Sequence, residues 1–252
     1  MQEDAHLSAS ADASAANSGP ADTTATPPPV DPMAEDPMNT LNRPTPVANP
    51  MVEKLSSKGI ELGKHYRILE DPFFTEDGYT TVTEFFWYGC GHCMNAEPLV
   101  AKWKSELPEG GGIIKIPAIW NALMELHARF FFVIELAVPK ESRDALHTDL
   151  FPVIIELREQ KVGLIDQRAA LKQRVVNAGV SEKDFETLFE SEQVQKLIDA
   201  ALAMQKRANI SGTPAFIIEG EYYLNLRELD QELGLIELGN TIIRTIQQDS
   251  AS

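Results

Sequence analysis

The segment 80–106 constrains the fold most. Thr80–Tyr88 reads TTVTEFFWY, with apolar content nearly continuous toward its end, as in a strand covered on both faces. It runs through Gly89 into Cys90-Gly91-His92-Cys93 and then into a polar segment with helical character, 91–106. Both cysteines of the chain stand at this strand-to-helix turn. Two sulfurs at i and i+3 at a helix start share one face and are close enough to bridge.

Three roles compete for the pair. A structural disulfide here would close a tiny loop and remove little entropy from the unfolded chain. A zinc site would need two more ligands, and His6, His65, His92, His127 and His147 show no ligand spacing. A reactive pair has a mechanism. Unpaired backbone N–H groups and the helix dipole favour an anionic sulfur at Cys90, and His92 adds a donor or a positive charge. Cys93, on the inward side of the turn, would be the resolving thiol, and Gly91 leaves the approach open.

The rest of the chain places this turn in a mixed sheet. His65–Leu69 (HYRIL), Gly112–Pro117 (GIIKIP) and Pro214–Ile218 (PAFII) read as strands, and EGEYYL supplies a turn and a further strand. Residues 121–208 read as helical, with a capping-box-like SEKD start at Ser181 and a second start after Ser191. Leu226–Gln247 reads as mostly helix. The order β-β-α-β, helices, β-β-α predicts an α/β fold interrupted by a helical insertion.

Composition narrows the function. Among 252 residues, 43% hydrophobic, the formal net charge is −16. No basic field exists to displace counterions from nucleic acid or to hold an anionic membrane surface. The longest apolar stretch, Phe130–Val138, is far too short to span a bilayer and is broken by Glu135. Residues 1–50 carry seven acids, one base, nine of the sixteen prolines and no aromatic residue. Such a segment cannot bury enough apolar surface to offset its ordering entropy, so 1–45 is expected to be a disordered tail. No secretory signal is visible, which leaves either a cytosolic protein or a signal already removed.

A second motif, Ile210–Ile217 (ISGTPAFI), sets a proline at the first position of a strand. With it, the chain resembles the thioredoxin superfamily, and with the insertion and EFFWYGCGHC it resembles the DsbA family of bacterial envelope thiol–disulfide oxidoreductases, over about residues 60–248. The resemblance implies a thioredoxin fold with a helical domain inserted between its βαβ and ββα halves. The expected divisions are 46–64 a short helical extension, 65–120 the first part of the thioredoxin domain, 121–208 the insertion and 209–252 the second part. Cys90 matches the nucleophile, Cys93 the resolving thiol, His92 the histidine of the dipeptide and Pro214 a cis proline facing the cysteines. Thr213 would offer its backbone to an extended substrate. Glu84 matches an acid under the site that assists proton transfer; independently, a carboxyl within an apolar strand is costly unless it is paired or has a task. A solvated strand-edge acid is its other reading. No cofactor is implied beyond the Cys90–Cys93 disulfide. The implied partners are unfolded or misfolded cysteine-containing proteins and a membrane redox partner of the DsbB or DsbD type, and the implied location is the periplasm.

Two features differ from the best-known DsbA proteins. The dipeptide is Gly-His in place of Pro-His, and Thr213 stands where valine is frequent; Pro98 also matches a helix-kinking proline of thioredoxin and the isomerases. They suggest a milder oxidant that also reshuffles disulfides. The alternatives are mainly an isomerase or reductase, or a redox-regulated chaperone. Trp87 and Tyr88 read equally as a substrate rim or as core, His127 and His147 as ordinary helix residues, and Phe130–Phe132 as core. In the extension, Asn49 is a candidate N-cap, Pro50 the first helical residue and Gly59 a stop. Met51 and Leu55 form an apolar face that must dock, on its own domain or on a second chain as a homodimer through 46–64.

Overall fold

The computed structural model describes residues 49–73, 80–229 and 234–250. The tail 1–45 and residues 46–48 of the extension lie outside the described residues. Among these, no helix is long and apolar enough to cross a membrane.

Thr80–Phe86 forms the central strand, β2, and all seven of its residues are buried, as its apolar run predicts. β1 (Tyr66–Ile68) precedes it, and α2 (Gly91–Glu106) leads to β3 (Gly111–Pro117), parallel to β2 as a one-helix crossover requires. After the insertion come β4 (Ala215–Ile218) and β5 (Tyr222–Leu224), both antiparallel to their neighbours, in the order β1-β5-β4-β2-β3. Pro214 falls just outside β4, where its missing N–H costs no ladder bond. The last helix, α8, spans Leu235–Ser250. The helix expected from Leu226 is instead a 3₁₀ turn at Leu226–Glu228, and α8 starts only after Gly234, whose carbonyl accepts the Leu238 N–H.

The helical insertion comprises five helices: α3 (Ala122–Ala137), α4 (Lys140–Glu159), α5 (Leu164–Asn177), α6 (Glu182–Phe189) and α7 (Glu192–Arg207). Pro139, Gly163 and Gly179, the last at φ +103°, stand at the breaks. Ser181 and Ser191 cap α6 and α7 by accepting the Asp184 and Val194 N–H groups at 3.1 and 3.2 Å. Phe130, Phe131 and Phe132 are core, packed with Phe86, Phe151 and Phe185 in the cluster between the insertion and the sheet.

A second cluster joins α2 and α8 to the other side of β2 through Val82, Trp103, Phe216 and Ile242. Trp103 lies so close to Gly239 that a Cβ there would sit 2.0 Å from its ring. Its indole N–H donates to Asn240 Oδ1 at 2.9 Å, and Asn240 Nδ2 donates to the Glu106 carbonyl at the end of α2.

The extension forms α1 (Pro50–Ser56), with the Met51 N–H donated to Asn49 Oδ1 at 2.9 Å. Met51 and Leu55 are buried in this second cluster. Lys54 pairs with Asp249 of α8, and Lys58 Nζ donates to Thr245 Oγ1 at 3.0 Å. Of the two docking places the sequence leaves open for this apolar face, the one occupied among the described residues is the chain's own α8. Leu55→Ala is expected to lower stability by about 2–4 kcal/mol, read as a fall in the urea midpoint at unchanged slope. A loss under about 0.5 kcal/mol, the ordinary surface value, would show that α1 does not dock.

Candidate active site

The turn after β2 delivers Cys90 to the start of α2. The Cys90 N–H donates to the Trp87 carbonyl at 3.0 Å. Gly89 is required here, since a Cβ would lie 2.3 Å from the Trp87 ring. Cys90 is the N-cap of α2: its sulfur accepts the Cys93 N–H at 3.3 Å, in place of the oxygen that usually caps a helix. Its thiol also lies 3.4 Å from the Thr213 carbonyl, and the Thr213–Pro214 bond is cis, as the resemblance implies. Cys90 is half-buried, Cys93 buried, and the pair is in the dithiol form.

This geometry splits the two thiols. The Cys93 thiol donates to the Cys90 sulfur and, with the Thr213 hydroxyl and the main-chain N–H groups of Cys93 and His92, brings Cys90 down to about 5 against the opposing effect of burial. The same hydrogen bond, with burial, pushes Cys93 far up. His92 is exposed and contributes through its main-chain N–H, where the sequence suggested its imidazole.

Glu84 is 0% exposed, which removes the strand-edge reading. Its register neighbour on β3 is Lys115, whose Nζ stands 3.6 Å from Oε2, an ion-pair distance too long for a strong hydrogen bond. Lys115 is instead held by both oxygens of Glu97 on α2, at 2.5 Å each. Burial, partly countered by Lys115, raises Glu84 to about 7, with Glu97 and Cys90 adding smaller upward effects. The carboxyl thus titrates near neutrality in electrostatic contact with Cys90.

A groove of about 550 Å³ opens beside Cys90, walled by Trp87, Trp120, Arg158, Gly212 and Thr213. Polar side chains of the insertion fix its walls. Trp87 Nε1 donates to His127 Nδ1 at 3.0 Å; His127 Nε2 meets Gln167 Oε1 at 2.9 Å, and Gln167 Nε2 donates to the Val162 carbonyl. The Tyr88 hydroxyl meets His147 Nδ1, and His147 Nε2 lies 2.8 Å from Glu135. Trp87 is thus a groove wall and Tyr88 is core. Both histidines are buried supports of these adjacent aromatics, more than the ordinary helix residues expected of them. Burial lowers His127 to about 4, so it stays neutral and can accept from the indole. Gln205 of α7 grips the backbone of Ile119, donating to its carbonyl and accepting its N–H, and so holds the neighbouring, exposed Trp120.

The structure brings Cys90, Cys93, Glu84, Trp87, Thr213 and Pro214 together, with His92 at the rim. Sequence reasoning missed Lys115, Glu97, Trp120 and Arg158. Lys115 was discoverable, as a charge inside the apolar GIIKIP run is as costly as Glu84 in its own strand. Arg158 contacts Gly89, 69 positions away, and has no local signal.

A family profile described as Thioredoxin matches residues 75–237. The thiol:disulfide interchange protein DsbA of Azotobacter vinelandii is 28% identical over 175 residues, 69% of this chain and 78% of that protein. The protein of the same name from Bordetella pertussis is 30% identical over 145 residues, 58% of this chain and 66% of that one. Among solved structures, reduced DsbA1 of Neisseria meningitidis aligns with a TM-score of 0.61 at 23% identity, covering 76% of this chain and 97% of that one. DsbA of Pseudomonas aeruginosa aligns with a TM-score of 0.60 at 21% identity, covering 75% and 94%.

The split thiols predict how stability depends on pH. Cys90 titrates at about 5 in the folded reduced protein and at about 8.5 once unfolded, so its contribution is complete above about 8.5 and is lost as pH falls to 5. Glu84, raised when folded, acts with the opposite sign between about 4.5 and 7, but it is present in both redox forms and largely cancels when they are compared. Cys93, raised, lowers the stability of the reduced form only above about 8.5. The reduced form should therefore gain stability over the oxidised form as pH rises from 5 to 8. Denaturant midpoints of both forms would show it, and a difference flat across that range would contradict the depressed Cys90 value.

Proposed function

This chain belongs to the thioredoxin family, and within it to the DsbA thiol:disulfide oxidoreductases, and on that footing we propose that Cys90 and Cys93 exchange disulfides with unfolded, cysteine-containing proteins in the periplasm. The observation that carries the reading is Cys90 at the N-cap of α2, its sulfur accepting the Cys93 N–H at 3.3 Å beside Thr213 and the cis Pro214, a setting that lowers Cys90 while its hydrogen-bonded, buried partner Cys93 is raised. A sulfur that is stable as a thiolate is a good leaving group, and a stabilised reduced form makes the disulfide an oxidant.

In the oxidising direction, a substrate thiolate attacks Cys90 Sγ of the Cys90–Cys93 disulfide. The S–S bond breaks, Cys93 leaves with the electron pair and takes a proton, and a mixed disulfide joins the substrate to Cys90. A second substrate thiol loses its proton and attacks the substrate sulfur of that bond, and Cys90 leaves as thiolate. Two substrate thiols have become a disulfide, and their two electrons reside in the protein's dithiol. Glu84 is assigned as proton donor to the departing Cys93: it titrates near 7, and Lys115 and Glu97 hold the charge balance around it. Thr213, whose carbonyl lies beside Cys90, is assigned to pair with the substrate backbone, and Trp87 to pack on its side chains. His92 supports the thiolate from the rim. A membrane redox partner of the DsbB type reoxidises the pair; one of the DsbD type would keep it reduced for isomerisation.

The Gly-His dipeptide between the cysteines and Thr213 favour some capacity to reshuffle disulfides, with reduced Cys90 attacking a wrong disulfide and Cys93 limiting the lifetime of the adduct. Scrambled ribonuclease measures that capacity, and insulin reduction measures the reductase direction. Cys90→Ser should abolish both and abolish oxidation of a dithiol peptide; a variant that still suppresses aggregation of an unfolded protein as well as the native chain does would favour the chaperone reading instead. Glu84→Gln should slow mixed-disulfide formation about a hundredfold, the ordinary share of a general acid. In the native chain the rate per substrate thiolate should fall as pH rises through about 7, and in Glu84→Gln it should be flat across that range. Equal profiles in both would remove Glu84 from the mechanism.

A further inference from the structure

Arg158 sits in the last turn of α4, where a cation is commonly placed to complement the helix C-terminus. Its side chain does something else. Nη1 crosses to the carbonyl of Gly89, the residue before Cys90, at 2.6 Å, and the guanidinium lies 5.5 Å above the Trp87 ring. The fork is thereby fixed in the wall of the substrate groove. A guanidinium has five N–H donors, and no carboxylate among the described residues pairs with this one. No carboxylate lines the groove among the described residues, and its side walls are the indoles of Trp87 and Trp120.

We infer that Arg158 reads an acidic side chain next to the reacting cysteine of the substrate, so that the groove selects cysteines flanked by aspartate or glutamate. The inference rests on the oxidoreductase reading. An arginine pinned at one nitrogen presents its remaining donors without further ordering cost, and a planar fork matches a carboxylate. The flanking indole lowers the local dielectric and strengthens that pair. The acidic surface of the protein does not oppose this at contact range, since its field is screened over about 8 Å at physiological salt.

The test uses the oxidised full-length chain in single turnover, with the protein disulfide as sole oxidant. Three dithiol peptides differ only in the residue beside the first cysteine: Glu, Gln or Lys. Each rate constant is divided by that peptide's rate with hydroxyethyl disulfide, which removes differences in thiol reactivity. The native chain should prefer the Glu peptide over the Lys peptide by about five- to tenfold, the range of a partly desolvated ion pair, with the ratio shrinking in high salt. Arg158→Lys should keep the order with a smaller ratio, and Arg158→Glu should invert it, which a purely structural role would not do. If Arg158→Glu fails to fold, Arg158→Gln carries the test, with the ratio moving to one. Equal normalised rates for the three peptides in the native chain overturn the inference. So does a uniform fall for all peptides in the variants, which would reduce Arg158 to a support for Gly89. A native chain that oxidises none of the peptides overturns the oxidoreductase reading and this inference with it, and is told apart from the other failures by the absence of any product.

Discussion

Everything at the site follows from β2 being closed to water on both faces. A strand with the first cluster on one side and the second on the other cannot present chemistry along its length. Reactive groups can reach solvent only beyond its end, where Phe86 gives way to Trp87-Tyr88-Gly89 and the chain turns into α2. That is where the half-buried Cys90 lies. The same closure makes Glu84 what it is. In a wetter strand the carboxyl would be an ordinary acid; here burial outweighs the attraction of Lys115 and holds it near neutrality.

The insertion is more than a cover for the sheet. It sends polar side chains to the groove and to the turn beneath it: His127 to Trp87, His147 to the core residue Tyr88, Gln205 to the backbone beside Trp120, and Arg158 to Gly89. Each contact leaves an aromatic or a loop residue with few alternative positions. A thioredoxin half-sheet supplies the sulfurs and the cis proline, and the helices decide the shape and charge of what surrounds them.

How much of this was legible in the sequence depended on distance along the chain. The apolar run of β2, the strand-start proline at 214 and the serine caps at 181 and 191 act within a few residues, and all were readable. The Met51–Leu55 face was readable as needing cover, but periodicity cannot say whether the cover is α8 or another chain; α8 lies nearly 200 positions away, and only the fold brings it there. The histidines failed for the same reason. A lone histidine in an amphipathic stretch looks ordinary until a tryptophan or tyrosine 40 to 59 positions upstream is placed against it. Lys115 was a missed local signal rather than a hidden one.

The stitching of α1 to α8 has a mechanical consequence. Lys54 pairs with Asp249, Lys58 reaches Thr245, and Met51 and Leu55 share a cluster with Ile242 and Ile243, so the two ends of the described fold are fastened to each other. A pull applied between residues 49 and 250 loads these contacts as a zipper, one at a time, before it reaches the sheet. The first cluster, which holds Cys93 and carries Cys90 against it, contains no residue of α1 or α8. The α1–α8 seam is thus the first set of contacts such a pull meets, apart from the cluster that holds the sulfurs.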